Sequence, residues 1–512
     1  MADDKASKTG VPHMDPEAFR RVGHQLVDWV ADYWDRVGDL PVRSQVQPGD
    51  VVRSLPDRAP EAPGGDELWA DILRDVEEII MPGMTHWQHP SFFAYFPANV
   101  SAPSVLGELL AAGLGGQGMS WQTSPAMTEL EMRVLDWMVH ALDLPTAFLS
   151  SETGGGVIQG TASEATLVAL LSARARARRE HPDRPDTTLV AYASEDAHSS
   201  VLKAAMIAGL AKNPEDDRQL RVVPMDASMG MRVDLLEKMM REDAQAGLLP
   251  FFVCATIGTT SATGVDPVDA IGKCLAAHPT RPWLHVDGAY AGVLALCPEH
   301  RASSVGMERA DSFVVNAHKW LLTNFDCSLF WVKDRAPLLD ALAVTPEYLR
   351  NRATESGEVI DYRDWQVPLG RRFRSLKLWF VLRTYGLEGL RTYLREHVAW
   401  ATSFEGWVAA DPRFEIVAPR TSALVCFRPV GEDRLGRALM ESINASGAAY
   451  LTHTTVPVFD EGGEEIGERR FSLRLALGGA RTRPEHVRAL WEQVVSWADV
   501  HMGDVQSWML PK

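Results

Sequence analysis

Lys319 stands in SFVVNAHKW, directly after a run rich in β-branched and aromatic residues. An amine held in a partly desolvated site loses basicity and can form a Schiff base with an aldehyde. The plainer alternative is a lysine on a solvated loop, although the flanking His318 and Trp320 form an aromatic cluster that a solvated lysine does not need. Asp287 ends the apolar run of WLHVDGAY. A buried carboxylate is costly without a cationic partner. A protonated ring nitrogen would be such a partner, and the aspartate would keep it protonated; otherwise Asp287 caps the turn that follows. His198, in SEDAHSS, could stack on a flat ring or simply start a helix. Residues 153–164 read TGGGVIQGTASE, and Gly160-Thr161-Ala162-Ser163 opens a helix with Leu167, Leu170 and Leu171 on its apolar face. Free N–H groups at a helix start, with two hydroxyls, make a phosphate cradle. A glycine turn with a Ser/Thr cap accounts for the same residues. There is no GKS or GKT ending, and no GxGxxG after a strand, so ATP and NAD are disfavoured.

The elements that must position these groups alternate between about 150 and 335. Short apolar runs at 187–194, 219–226, 251–256, 283–287, 312–316 and 329–333 are separated by helical patterns at 163–180, 199–210, 233–245 and 266–277. That alternation predicts right-handed βαβ units and an α/β fold with a mostly parallel sheet. Ligands of such sheets bind at the carboxyl ends of the strands. A phosphate cradle, a stacking histidine, an aspartate and a lysine, each after a strand of one sheet, form the parts list for pyridoxal 5'-phosphate.

Three domains are expected: an N-terminal helical segment over 1–100, a large cofactor-binding α/β domain over 101–390, and a small α+β domain over 391–512. Asp15-Pro16 reads as a helix start, and Phe19, Val22, Leu26, Val30, Tyr33 and Val37 follow at helical spacing. Such a stripe needs a partner surface, such as another subunit. Residues 38–66 read as a linker and 67–100 as a short helix before the aromatic run HWQHPSFFAYFP. In the tail, FEIVAP, ALVCFRP and RFSLRLAL read as strands, 433–445 as a helix, and Thr482-x-x-Glu485 as the capping box of a last helix.

The bulk numbers restrict partners and compartment. A net charge of −17 repels phosphate backbones, which argues against nucleic acid. Five scattered cysteines without a CxxC pair argue against a disulfide framework or a metal site and fit a reducing compartment. The polar N-terminus lacks a signal peptide's apolar core. No apolar run reaches the roughly 18 residues of a membrane span. A cytoplasmic protein is expected.

From about residue 15 to 500 the sequence resembles the aromatic-L-amino-acid decarboxylases, group II pyridoxal-phosphate enzymes of fold type I. The stretches that carry the likeness are MPGMTHWQHPSFFAYFP, SPAMTELE, GGGVIQGTASEATLVALL, HVDGAYAG, NAHKWLLTNFDCSLFWV and YRDWQVPLGRRFRSLKLW. The resemblance implies that Lys319 carries the cofactor, that Asp287 partners its ring nitrogen with Ala289 near the ring, and that His198 stacks on it. Thr161, Ala162, Ser163 and Asn316 match phosphate-side contacts, and Thr260 a residue near His198. Trp87, Tyr95, Phe96 and Pro97 match the aromatic substrate pocket, and His318 the residue before the lysine. It also implies a homodimer with active sites at the subunit interface.

Tyr348, in TPEYLRNRATESGE, falls in a polar stretch without periodicity that reads as a mobile loop. The resemblance makes it the acid that protonates the carbon losing CO2. Aldehyde-forming relatives hold phenylalanine there, so Tyr348 points to amine formation. The sequence departs from the familiar animal pattern at Ala98, Gln117, Met119 and Ala317; Gln117 and Met119 are expected to reach the neighbouring subunit's pocket. Gly370 resembles the glycine of plant enzymes that accept indoles, which suggests tryptophan-like substrates, although it could serve only a turn. The competing expectations are an aromatic acetaldehyde synthase, a decarboxylase of acidic or aliphatic amino acids, and an inactive cofactor-binding partner subunit.

Overall fold

The computed structural model describes residues 14–61, 64, 68–344, 359–460, 462–463 and 465–502. Tyr348 and the whole of its polar stretch, residues 345–358, lie outside the described residues. Seven strands form the central sheet: β1 Gly155–Gln159, β2 Leu189–Ser194, β3 Leu220–Val223, β4 Leu249–Thr256, β5 Trp283–Asp287, β6 Ser312–Asn316 and β7 Ser328–Val332. Their spatial order is β1-β7-β6-β5-β4-β2-β3. The ladder from β3 to β6 is parallel, whereas β7 runs antiparallel to both β6 and β1. The expectation of a mostly parallel sheet therefore holds, with one reversed strand. Strands with helices over both faces read as continuous apolar runs. Successive residues still face opposite ways. Val190, Tyr192 and Val253 enter one core, and Ala191, Ala193, Phe252 and Cys254 the other.

The glycines of 154–156 do not form a turn: Gly155 and Gly156 begin β1. The neighbouring Trp331 fills the space a side chain would take: a Cβ on Gly156 would lie 2.6 Å from its ring. Residues 38–66, expected as a linker, contain a short turn at Val37–Asp39 and a helix at Asp50–Ser54.

The N-terminal helix is Pro16–Arg36, with the Asp15 carboxylate accepting from Ala18 N–H at 2.8 Å. Its stripe is only half covered, since Val22 and Val37 are buried while Phe19 and Leu26 are exposed. A second, antiparallel sheet follows the order β10-β11-β9-β8, with β8 Phe414–Ile416, β9 Leu424–Pro429, β10 Thr452–Val456 and β11 Arg470–Ala476. The helical run Arg374–Ala410, kinked at Gly386, joins the two sheets and crosses the expected 390/391 boundary. The last helix spans Pro484–His501. Its N-cap is Arg483, whose N–H donates to His486 Nδ1 at 3.0 Å, and the expected box of Thr482 with Glu485 is not formed. Thr482 instead donates to Pro90 O at 2.9 Å, because Pro484 sets the first helical position two residues later.

Candidate active site

Five strand ends converge on one cavity of about 200 Å³, lined by Phe96, Thr161, Ala162, Ser163, His198, Thr256, Gly258, Thr260, Asp287, Ala289, Tyr290, Asn316, His318 and Lys319. β1 delivers the helix Ala162–Glu180 by its N-terminus. Thr161 is the N-cap, accepting from Glu164 N–H at 3.2 Å, and Glu164 reaches back to Gly160 N–H at 3.0 Å. The first bond satisfies one orphan donor of the helix start, and the second ties the preceding Gly160 onto the first turn. The N–H groups of Ala162 and Ser163 keep no partner among the described residues and border the cavity.

β5 places Asp287 at its last position, buried, with one carboxylate oxygen accepting from Ala289 N–H at 2.9 Å. Among the described residues no cation comes within ion-pair distance of it. β6 ends at Asn316, whose Oδ1 accepts from Ser328 Oγ at 2.6 Å, and the single helical turn Ala317–Trp320 follows. Lys319 Nζ stands 5.1 Å from the centroid of the Phe96 ring. No hydrogen bond or ion pair holds it among the described residues.

Burial lowers the basicity of the nitrogen groups around the cavity. Burial lowers the Lys319 amine below the ordinary lysine value; Asp287 opposes that and the Arg474 guanidinium adds to it. His318 is pushed down to about 4, first by burial and then by Lys319. Its Nδ1 lies 2.9 Å from Cys327 N and 3.1 Å from Cys327 O, so the Cys327 backbone holds the ring in place. His198 is lowered by burial, partly countered by Asp287, and its Nδ1 accepts from Ser200 N–H at 3.1 Å.

Among the described residues, a buried carboxylate without a cationic partner, an amine without a hydrogen bond or ion pair and free helix N–H groups surround one cavity, and these fit pyridoxal phosphate. Asp287 would face its ring nitrogen, Lys319 its aldehyde, and Ala162, Ser163 and Asn316 its phosphate.

The structure brings together Phe96 and every residue that the sequence assigned to the cofactor. Thr256, Gly258 and Tyr290 also line the cavity and were missed. Each lies at or within three residues of the end of β4 or β5, so the strand-end rule applied residue by residue would have found them. Trp87 and Tyr95 stack at 5.6 Å, and Tyr95 lines a separate cavity of about 430 Å³ that shares Thr260 with the first. Pro97 packs against Gly478, and Ala98 O accepts from Gln88 Nε2 at 2.6 Å. Gln117 and Gly370 meet each other: Gln117 Oε1 accepts from Arg371 N–H at 2.6 Å, and a Cβ on Gly370 would lie 3.4 Å from Gln117 Nε2. Met119 O accepts from Arg363 N–H at 2.9 Å. None of Gln117, Met119 and Gly370 lines the Lys319 cavity of its own chain.

Residues 48–430 match the pyridoxal-dependent decarboxylase conserved domain. A phenylacetaldehyde synthase of Arabidopsis thaliana is 49% identical over 94% of this chain and 95% of that protein. Tryptophan decarboxylase 2 of Oryza sativa subsp. japonica is 47% identical over 94% of each. The crystal structure of Oryza sativa TDC with PLP and tryptamine shares the fold at a TM-score of 0.89 and 40% identity, covering 96% of this chain and 100% of that one.

Proposed function

This chain belongs to the pyridoxal-dependent decarboxylase family, and from that membership we propose that it converts an aromatic L-amino acid to its arylalkylamine and CO2, with the cofactor held on Lys319. The observation that carries the proposal is the cavity that gathers Lys319, Asp287 and the bare N–H groups beside the aromatic rings of Phe96 and Tyr290. When bound, pyridoxal phosphate supplies an electron sink for the pair left at the α-carbon. Asp287 keeps the ring nitrogen protonated, which deepens that sink. Lys319, whose basicity burial lowers, would be the nucleophile that holds the cofactor. Tyr348 delivers a proton from its hydroxyl to the α-carbon, a positioned transfer that contributes about 10²–10⁴-fold.

A second reading, oxidative conversion to the aryl acetaldehyde, is favoured by the identity to an aldehyde-forming relative. Tyr348 supports the amine, because the resemblance places phenylalanine there in aldehyde formers. Gly370 supports an indole ring, since it presents no side chain beside Gln117. The reading also includes a cytoplasmic homodimer. Its supports are five free cysteines and the exposed Leu106, Leu109, Leu110 and Leu114 on the helix Ala102–Leu114, which leads towards Gln117 and Met119.

A substrate panel tests the class. Purified holoenzyme is given tryptophan, DOPA, tyrosine, phenylalanine and glutamate, and consumption of each is followed. Turnover of the aromatic acids, led by tryptophan, is expected; a preference for glutamate contradicts the aromatic assignment.

A further inference from the structure

The groups that hold Lys319 in place lie outside the cavity. A single helical turn such as Ala317–Trp320 leaves carbonyls without the donors that a longer helix supplies four residues on. Leu321 N–H serves Ala317 O at 3.0 Å. The carbonyls of His318 and Lys319 are both met by Asn99, two residues past Pro97. Asn99 N–H donates to His318 O at 3.0 Å. Its Nδ2 donates to Lys319 O and, at 2.8 Å, to Gly478 O. Asn99 is 1% exposed, so water does not substitute for these bonds.

Chemistry fixes the orientation of the amide. Nδ2 stands between two carbonyl oxygens, which only accept, so a flipped amide would set Oδ1 against both. The Tyr393 hydroxyl lies 3.1 Å from Asn99 Oδ1 and 2.6 Å from Gly478 O, two acceptors that share its single proton. One side chain therefore joins the aromatic run, the lysine turn and the exit of β11.

We infer that Asn99 is a positioning residue for Lys319: its amide fixes the lysine backbone and so sets where Nζ stands between Phe96 and Asp287. The inference rests on the reading that Lys319 carries the cofactor. Ser101 provides a built-in comparison. Its Oγ donates to Leu322 O at 2.6 Å and caps the helix Ala102–Leu114, so it ties the same two segments together without touching Lys319.

The test uses the full chain as wild type, Asn99→Ala, Asn99→Asp, Tyr393→Phe and Ser101→Ala. Each protein is loaded with pyridoxal phosphate, and the absorption of the lysine-bound cofactor is followed across pH. Borohydride trapping with mass spectrometry identifies the modified residue and its rate. Melting of the cofactor-free protein records general loss of stability. The wild type is expected to trap at Lys319. Both Asn99 variants should move the midpoint of the pH profile and slow trapping about tenfold or more. Tyr393→Phe should shift both the same way by less. Ser101→Ala should lower the melting temperature yet keep the wild-type profile and trapping rate. If the Asn99 variants do not fold, Tyr393→Phe carries the same test. Wild-type profiles in the Asn99 variants, or an equal change in Ser101→Ala, overturn the inference and leave the proposed function standing. Trapping of the wild type at another residue overturns the reading on which it rests.

Discussion

At Lys319 the cost of desolvating the ammonium outweighs the attraction of Asp287, so the neutral amine is present at a lower pH than for a free lysine. Lys319→Ala should therefore abolish covalent attachment of the cofactor and reduce turnover by several orders of magnitude; a retained lysine-bound absorption band contradicts the assignment. Attachment to the wild type should speed up as pH rises, with a midpoint below the ordinary lysine value. Tyr348→Phe should bind cofactor as the wild type does but lose most amine formation, read by mass spectrometry of the products; amine at the wild-type rate removes Tyr348 from the mechanism. Lys319, Asp287 and His198 were legible in the sequence because each stands at or just past the end of a strand and has a side chain with distinctive chemistry. Asn99 was not legible. It is an asparagine in an irregular stretch, and its role comes from two carbonyls 219 and 220 residues away.

The elements that carry these residues were legible where local pattern and tertiary context agree. β4, β5 and β6 are rich in β-branched and aromatic residues and bounded by helices, and their ends fall close to the positions expected. β1 was not, because its two leading glycines have no strand propensity of their own and are held by Trp331 and the ladder to β7. β10, THTTV, faces solvent at the edge of its sheet and carries no apolar run to mark it. The approach to β1 is tight. A Cβ on Gly154 would lie 2.1 Å from Ala147 O and 2.3 Å from Val332 O, both backbone atoms that cannot swing away. Gly154→Ala should cost about 1–3 kcal/mol in urea unfolding. It should also weaken cofactor binding, because β1 positions the N-terminus of the helix Ala162–Glu180. An unchanged urea midpoint contradicts this account of the β1 entry.

Across the whole molecule, burial leaves several histidines neutral. His89, His285 and His318 are held at about 4 and His397 at about 3, in each case chiefly by desolvation. An unfolded histidine titrates near 6.5, so below that pH the unfolded chain binds more protons, and stability falls as pH falls towards 4. Asp266 acts in the opposite sense. Burial holds its carboxyl at about 7, so the folded chain keeps a proton that the unfolded chain has lost over the same range. About three protons remain, or roughly 4 kcal/mol per pH unit. Urea midpoints should drop steeply between pH 6.5 and about 4.5; a flat or rising profile there means that these histidines are not neutral and buried. The exposed leucines of Ala102–Leu114 and the half-bare stripe of Pro16–Arg36 predict a dimer in sedimentation equilibrium.

The central claim is non-oxidative loss of CO2 at the Lys319 site, and oxygen uptake tests it most directly. Wild-type holoenzyme turning over tryptophan in an oxygen-electrode cell should release CO2 and tryptamine in equal amounts with no oxygen consumed and no peroxide formed. Stoichiometric oxygen uptake with an aryl acetaldehyde, ammonia and peroxide would contradict the account and establish the oxidative reaction in its place.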